Sequence, residues 1–366
     1  MAYFDNNATT RPNTEVQEAF EGALRESWSN PSSPYRSGAE VRVRLDQARE
    51  NVARTLQVDI EQVAFTSGAT EANNAVLAHA ASFFDSSARV VVSSIEHPSV
   101  LEHADHWFSG RALTVPVEPT GVVDMNRLRA LLDEVPEVRL VSLMATNNET
   151  GVLQPWGETA SLCRERGIHF HCDATQWVGE FPSSGFSACS SFSASAHNFG
   201  GPKGVGILVS ELANLFILGG NQENGRRSGT ENYPAIEATS VACEVIRSHI
   251  PEFSDRSSWR DSFEERMLLD FPGLQILGKE VPRLWNTSML LLPDYENLRY
   301  VGKLDKLGFE VSTGSACSIG KDESSSVALA MGFSTEQSKR LIRVSSYAEE
   351  TEDDWMSLAT AFCDAR

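Results

Sequence analysis

The chain has 366 residues, of which 41% are hydrophobic and 22% charged, proportions typical of a globular protein large enough for two domains. Its formal net charge of −19 argues against direct nucleic-acid binding, which requires a basic surface. No apolar run approaches the ~20 residues of a membrane helix, and the first residues form no signal segment. Six cysteines lack metal-site spacing. We therefore expect a cytoplasmic protein with no membrane partner and no bound metal.

Two helices are predicted first, over 14–27 and 38–56. Strands and helices then alternate between about residues 60 and 210. The predicted strands are 63–66, 89–93, 113–115, 138–144 and 168–172, and the predicted helices are 70–84, 98–108, 124–132 and 155–166. This β-α-β-α order predicts an α/β fold with a mostly parallel sheet covered by helices on both faces. Binding sites in such sheets lie where strands end and loops begin.

A long helix is predicted over 231–250, and the pattern changes after it to short strands with helices between them. We therefore expect a domain boundary near Pro251. The predicted division is a large domain of residues 12–250 and a small α+β domain of residues 1–11 and 251–366.

Two segments at predicted strand ends have the composition of ligand-binding loops. In Ser193–Gly204, SASAHNFGGPKG, small residues and a Gly-Gly-Pro turn predict a loop that a ligand approaches closely. In Thr66–Glu71, TSGATE, a strand leads into a helix whose first N–H groups and dipole favour an anion, and Gly68 lets a phosphate come near. A plain strand-to-helix turn explains this second segment equally well.

Asp173 and His97 are predicted at the ends of buried strands. A carboxylate there is costly unless it pairs with a cation. The alternative for Asp173 is a helix N-cap. A single histidine in the position of His97 is more often structural than functional.

Cys317 differs from the other cysteines because glycine and serine surround it in 312–320, STGSACSIG. Such neighbours favour an exposed, reactive sulfur, and a structural thiol is the alternative. Four other cysteines are predicted to be buried, namely Cys163, Cys172, Cys189 and Cys243. Arg343 lies in a predicted strand over 341–344, where its planar guanidinium suits a carboxylate ligand and where a strand-edge charge is the alternative.

In this order the motifs resemble those of cysteine desulfurases of the NifS/IscS type, class V aminotransferases within the fold-type I pyridoxal 5'-phosphate (PLP) enzymes. The resemblance covers nearly the whole chain. It implies an aspartate aminotransferase-like large domain, PLP as cofactor and a homodimer. It further implies that L-cysteine is converted to L-alanine, with a persulfide left on Cys317 for a sulfur-acceptor protein. That acceptor would be a scaffold, a tRNA-thiolation enzyme or a DNA phosphorothioation enzyme.

The resemblance also implies roles for individual residues. The implied cofactor-binding residues are Ala69, Thr70, His97, Asn148, Asp173, Gln176, Ser195, His197 and Thr230. The implied substrate-binding residues are Asn7, Ala8, Thr9 and Arg343. The implied catalytic positions are Cys317, His97 and Asn198. Among these, Ala69 and Thr70 would hold the phosphate, Asp173 the ring nitrogen and Gln176 the ring hydroxyl, and Thr230 would reach the phosphate of the other subunit.

Asn198 stands where the family has the lysine that holds PLP as a Schiff base. An amide can neither form that bond nor act as a general base. Lys203 follows five residues later, but it matches a separate lysine of the family's Pro-Lys-Gly. We therefore expect a desulfurase that is inactive or trapped. The alternatives are a PLP β-lyase or selenocysteine lyase on the same scaffold, and a catalytically dead binding subunit.

Overall fold

The protein is described by a computed structural model that covers residues 1–211, 217–294, 296–314 and 324–366. Its strands are β1 (Ala2–Tyr3), β2 (Val63–Thr66), β3 (Arg89–Ser93), β4 (Ala112–Val115), β5 (Val138–Ser142), β6 (His169–Asp173), β7 (Ser191–Ser195), β8 (Gly206–Ser210), β9 (Gln275–Ile276), β10 (Thr287–Leu291), β11 (Phe309–Glu310) and β12 (Leu341–Ser345). Its helices are α1 (Thr14–Glu26), α2 (Arg36–Leu56), α3 (Ala69–Phe83), α4 (Pro98–Trp107), α5 (Met125–Glu134), α6 (Trp156–Glu165), α7 (Tyr233–Phe253), α8 (Ser257–Asp270), α9 (Asn297–Lys306), α10 (Ser326–Ala330), α11 (Thr335–Ser338) and α12 (Glu352–Asp364).

A seven-stranded sheet in the order β2-β8-β7-β6-β5-β3-β4 forms the centre of the larger unit. Strand β8 runs antiparallel to both neighbours, whereas the other pairings are parallel. Strand β3 is a buried apolar run with Val90, Val91 and Val92, because helices cover the sheet, whereas β6 and β7 are buried but carry several polar side chains. The α/β prediction with a mostly parallel sheet is confirmed.

The predicted loop Ser193–Gly204 begins later than expected, because β7 continues through Ser195. Ser193 is fully buried and pairs with β6 on one side and β8 on the other. Its hydroxyl donates a hydrogen bond to Asn73 of α3. The small side chains therefore let a helix approach the strand, and the turn itself is limited to the 3-10 segment Ala196–Phe199 and the glycines after it.

The smaller unit contains a three-stranded antiparallel sheet, β12-β10-β9, and a parallel pair, β1-β11. Phe4, next to β1, is fully buried in this unit's core, with its ring centroid 5.0 Å from that of Trp355. Helix α7 passes through Pro251 and ends at Phe253, three residues beyond the predicted helix end. The division into domains near Pro251 stays a prediction.

Three of the four cysteines predicted to be buried are buried, namely Cys163, Cys172 and Cys243. Cys189 is only half-buried, so this part of the prediction was wrong. The physical reason is that Cys189 ends a short turn and precedes β7, which begins at Ser191. In the described part of the chain, no helix combines the length and apolarity required to cross a lipid bilayer.

Candidate active site

A cavity of about 650 Å³ opens at the sheet edge where the parallel strands end. Most residues that the sequence singled out line this one cavity: Asn7, Ala8, Ala69, Thr70, His97, Asn148, Asp173, Gln176, Ser195, His197, Asn198 and Arg343. They come from the N-terminal segment, from loops after β2, β3, β5, β6 and β7, and from β12. The fold therefore gathers side chains that are up to 336 positions apart in the sequence, from Asn7 to Arg343.

The remaining predicted site residues are Thr9, Thr230 and Cys317. Thr9 does not line the cavity, and its carbonyl oxygen accepts a hydrogen bond from Tyr3 Oη. Thr230 lines a separate cavity of about 240 Å³, which shares Ser67 and Gly204 with the larger one. Cys317 lies outside the described residues.

The turn before α3 has the geometry of an anion site. The first N–H groups of a helix lack partners within the helix, and here they belong to Ala69 and Thr70 at the cavity wall. The turn rests on β8, because a Cβ atom on Gly206 would lie 2.3 Å from Gly68 C. Glu71 accepts hydrogen bonds from Ser67 N at 2.8 Å and from Arg227 Nε at 2.8 Å. Although burial opposes them, these bonds lower the pKa of Glu71 and keep it ionised.

Asp173 ends β6 with its carboxylate buried in the cavity wall. Oδ1 accepts from Thr175 N at 3.0 Å, and Oδ2 accepts from Asn73 Nδ2 at 2.8 Å. The helix N-cap alternative for Asp173 is wrong, because turns rather than a helix follow β6 in this part of the described chain. Within the described residues, no lysine, arginine or histidine forms an ion pair with Asp173. The site therefore suits a cationic group supplied by a ligand.

His97 is the N-cap of α4, and its Nδ1 accepts from Ser99 N at 3.1 Å. Ser99 Oγ lies 2.8 Å from the same nitrogen. The structural interpretation of His97 therefore accounts for Nδ1, and Nε2 is the ring nitrogen that remains for a ligand in the cavity.

Asn198 lies in the 3-10 turn after β7 and is 9% exposed. Its Nδ2 donates to Asn7 O at 3.2 Å, and Gln176 Nε2 donates to the same carbonyl at 2.8 Å. Lys203 is exposed and is the only lysine among the described residues that line the cavity.

Arg343 on β12 is buried, so the alternative of a solvated strand-edge charge is wrong for this residue. Its Nη2 lies 2.6 Å from Asp5 Oδ1, and its Nη1 donates to Asn148 O at 3.0 Å. These contacts fix the plane of the guanidinium before any ligand binds, which favours recognition of a planar carboxylate.

Among the described residues, four buried polar atoms on the cavity wall find no hydrogen-bond partner: Thr146 Oγ1, Thr175 Oγ1, His197 Nδ1 and Arg343 Nε. Buried polar groups are nearly always satisfied in native proteins. Burial, and then the charge of Lys203, lower the pKa of His197. The anion turn and the Arg343 guanidinium fit a polar ligand that carries a phosphate and a carboxylate.

The sequence profile described as Aminotransferase class-V matches residues 2–358 of the chain. The chain belongs to this family. It is 36% identical over 366 residues to a cysteine desulfurase of Klebsiella pneumoniae, covering 97% of this chain and 91% of the relative. A solved NifS-like protein superposes with a TM-score of 0.90 at 32% identity, covering 99% of this chain and 98% of that one. A solved structure of SspA in complex with cysteine gives a TM-score of 0.80 at 25% identity over 94% and 98% of the two chains.

This class-V aminotransferase contains polar residues behind the cavity that sequence reasoning missed. Glu96 is fully buried, accepts from Ser93 Oγ at 2.7 Å and Met144 N at 2.8 Å, and has its pKa raised to about 8 by burial. Asn73 is fully buried at the face of α3 that meets the sheet. A polar residue at an apolar helix position was the available signal for Asn73, whereas nothing in the local pattern marks Glu96.

Proposed function

We propose that this class-V aminotransferase is a PLP-dependent cysteine desulfurase that takes L-cysteine to L-alanine and forms a persulfide on Cys317. The observation that carries the proposal is that the anion turn, Asp173 and Arg343 line one cavity. Its relatives include a cysteine desulfurase aligned with nearly the whole chain. A phosphate site, a site for a cationic nitrogen and a carboxylate site in one cavity are what a PLP enzyme for an amino acid requires.

In this proposal each group of cavity-lining residues binds one part of the cofactor or the substrate. The helix start at Ala69 and Thr70 binds the phosphate, and Gln176 contacts the ring hydroxyl. Asp173 holds the proton on the ring nitrogen by its negative charge. The bound cofactor supplies an electron sink for the substrate's α-carbon. His97 exchanges a proton with the substrate through Nε2, because Nδ1 is already an acceptor.

The substrate carboxylate binds Arg343, which Asp5 and the Asn148 carbonyl hold in place. The Cys317 thiolate then forms a bond to the substrate sulfur while the substrate's Cβ–S bond breaks. The electron pair of that bond stays with carbon, and Cβ gains a proton to become the methyl group of alanine. The sulfur remains on Cys317 as a persulfide.

Asn198 limits this chemistry in the chain as it stands. The amide supplies no amine for a covalent bond to the cofactor, so retention of PLP relies on the phosphate turn, Asp173 and His97. We propose that turnover is low for this reason. Lys203 lines the same cavity, but its side chain is exposed to solvent.

The reaction class is tested by locating the sulfur. The Asn198→Lys variant, supplied with PLP and L-cysteine, should form a persulfide that mass spectrometry places on Cys317. A Cys317→Ala version should release alanine poorly. Cleavage that survives Cys317→Ala would favour a β-lyase, and a persulfide on Cys163 or Cys363 would contradict the assignment.

We further propose a homodimer in which Thr230 lies near the cofactor of the other subunit. The cavity lined by Thr230 touches the phosphate turn at Ser67. In the part of the chain that the structure describes, the buried carboxylate of Glu231 there finds no hydrogen-bond partner and pairs only loosely with Arg42 Nη1, 3.8 Å away. Light scattering should give about twice the chain's mass of 40.1 kDa, and a monomer at working concentration would contradict this proposal.

The sulfur acceptor is proposed only by class. With a formal net charge of −19, the chain suits a basic protein surface better than an acidic one. A scaffold, a tRNA-thiolation enzyme and a DNA phosphorothioation enzyme are the candidate acceptors. The test is transfer of ³⁵S from the persulfide-loaded Asn198→Lys variant to each class of purified acceptor.

A further inference from the structure

A buried hydrogen-bond network lies behind the cavity wall, and Asn73 of α3 is at its centre. Asn73 does not line the cavity, and its side chain is fully buried. Its Nδ2 donates to Asp173 Oδ2 at 2.8 Å and to Ser99 Oγ at 3.0 Å. Its Oδ1 accepts from Ser193 Oγ and lies 3.0 Å from His171 Nε2. The amide therefore uses two donors and two acceptor positions, which is its full capacity.

The orientation of the Asn73 amide sets the direction of each hydrogen bond, because Nδ2 donates to Asp173 Oδ2 and Oδ1 faces Ser193 and His171. A carboxylate only accepts, so the NH₂ of Asn73 faces Asp173 and the amide oxygen faces His171. His171 Nε2 therefore carries the ring proton, and His171 Nδ1 accepts from Ser191 Oγ at 2.9 Å. Ser191 in turn accepts from His169 Nε2 at 3.1 Å. Burial lowers the pKa of both histidines to about 4, so both are neutral at neutral pH.

Ser99 connects this hydrogen-bond network to His97 in the cavity wall. Ser99 Oγ accepts from Asn73, so its own proton points to His97 Nδ1, 2.8 Å away. The backbone N–H of Ser99 donates to that nitrogen as well. His97 Nδ1 is therefore an acceptor, and the proton of the neutral ring is on Nε2.

We propose that Asn73 is a positioning residue that fixes both the Asp173 carboxylate and, through Ser99, the tautomer of His97. The proposal rests on the proposed function, in which Asp173 receives the ring nitrogen of PLP and His97 acts beside the ring. Two groups on different loops are thereby tied to one amide, so the loss of that amide loosens both together.

The first test needs neither cofactor nor variant of Asn73. The full chain is labelled with ¹⁵N-histidine, and long-range ¹H–¹⁵N spectra are recorded without PLP at neutral pH. Signals are assigned by comparison with His97→Gln and His171→Gln. We expect His171 and neutral His97 each to carry the proton on Nε2 alone. A wild-type His171 protonated on Nδ1 would overturn the network, whether or not the chain binds PLP.

The second test compares Asn73→Ala with the matched control Asn51→Ala. The Asn51 amide donates a hydrogen bond of 3.1 Å to Ser240 Oγ, and neither residue lines the cavity. In Asn73→Ala the His171 proton should move to Nδ1, where Ser191 accepts it. Affinity for PLP should fall about tenfold, the cost of one hydrogen bond to a charged group. Affinity for the analogue with C–H in place of the ring nitrogen should fall less than about twofold.

The comparison of ligands separates positioning from general stability. Equal losses for PLP and its carbon analogue in Asn73→Ala would show only a structural role and overturn the proposal. The Asn51→Ala control should leave both affinities and all histidine tautomers as in the wild type. Because the wild-type spectrum alone can contradict the network, the test does not depend on the folding of Asn73→Ala. A wild-type chain that binds neither ligand refutes the proposed function but leaves the tautomer result decisive for the network.

Discussion

The ion pair between Arg49 and Glu223 is predicted to be essential for stability. Both oxygens of Glu223 accept from the guanidinium, at 2.6 and 2.8 Å, and the side chains are 6% and 1% exposed. Glu223 Oε2 also accepts from Phe65 N at 2.8 Å, so the pair holds β2 just before the phosphate turn. Glu223→Gln keeps the shape but leaves the Arg49 charge uncompensated, which costs about 3–5 kcal/mol of unfolding free energy.

The assay is thermal and chemical unfolding of the full chain. With an unfolding entropy of about 0.8 kcal/mol/K for 366 residues, the expected fall in midpoint is about 4–6 °C. The double variant Arg49→Met/Glu223→Gln should recover much of the loss, because the buried charge is gone. The control is Glu40→Gln in the exposed Arg36–Glu40 pair, which should cost less than about 0.5 kcal/mol. A Glu223→Gln chain as stable as that control would refute the reasoning.

Three further predictions test separate parts of the site. Arg343→Lys keeps the charge but loses the planar guanidinium. KM for L-cysteine in the Asn198→Lys background should therefore rise at least about tenfold. An unchanged KM would exclude Arg343 as the carboxylate ligand. Burial raises the pKa of Glu96 to about 8, above its unfolded value, so this group contributes stability at low pH that is lost as pH rises through about 8. In Glu96→Gln, the unfolding free energy measured with denaturant should fall less steeply as pH rises. Part of the fall should remain, because burial also raises the pKa of Glu180 to about 8 and that of Glu350 to about 7. An unchanged pH dependence would argue against a buried carboxyl at Glu96. Gly206→Ala puts a Cβ atom 2.3 Å from Gly68 C and should weaken PLP binding in equilibrium dialysis, whereas Gly22→Ala, with nothing within 4 Å, should leave it unchanged; equal binding in both variants would show that the turn is not the phosphate site.

Local patterns predicted the elements well, because apolar periodicity and helix start signals report burial directly. Strand β3 was predicted with both ends correct, and α4 begins at the predicted Pro98. The prediction failed where tertiary packing decided the outcome. Ser193 and Ser195 have the composition of a loop, yet both pair in β7 because α3 requires small side chains beneath it.

The cavity residues could be proposed from sequence because each is near a strand end, and parallel strand ends meet at one sheet edge. Their supporting contacts could not be proposed in the same way. The contact of Arg343 with Asp5 joins residues 338 positions apart, and the hydrogen bond from Asn73 to Asp173 spans 100 positions. Such pairs depend on how helices and sheets pack, which local periodicity does not report.

We propose that this cavity is a desulfurase site in which Asn198 replaces the amine that would bind the cofactor. The most direct measurement compares the chain with its Asn198→Lys variant, each incubated with PLP, reduced with borohydride and analysed by peptide mass spectrometry, with alanine release from L-cysteine measured in parallel. We expect a covalent adduct on residue 198 in the variant and alanine release faster by orders of magnitude, while PLP dialyses away from the unmodified chain. If the unmodified chain already turns over at the variant's rate, with its adduct on Lys203, then Lys203 supplies the amine and Asn198 does not limit turnover.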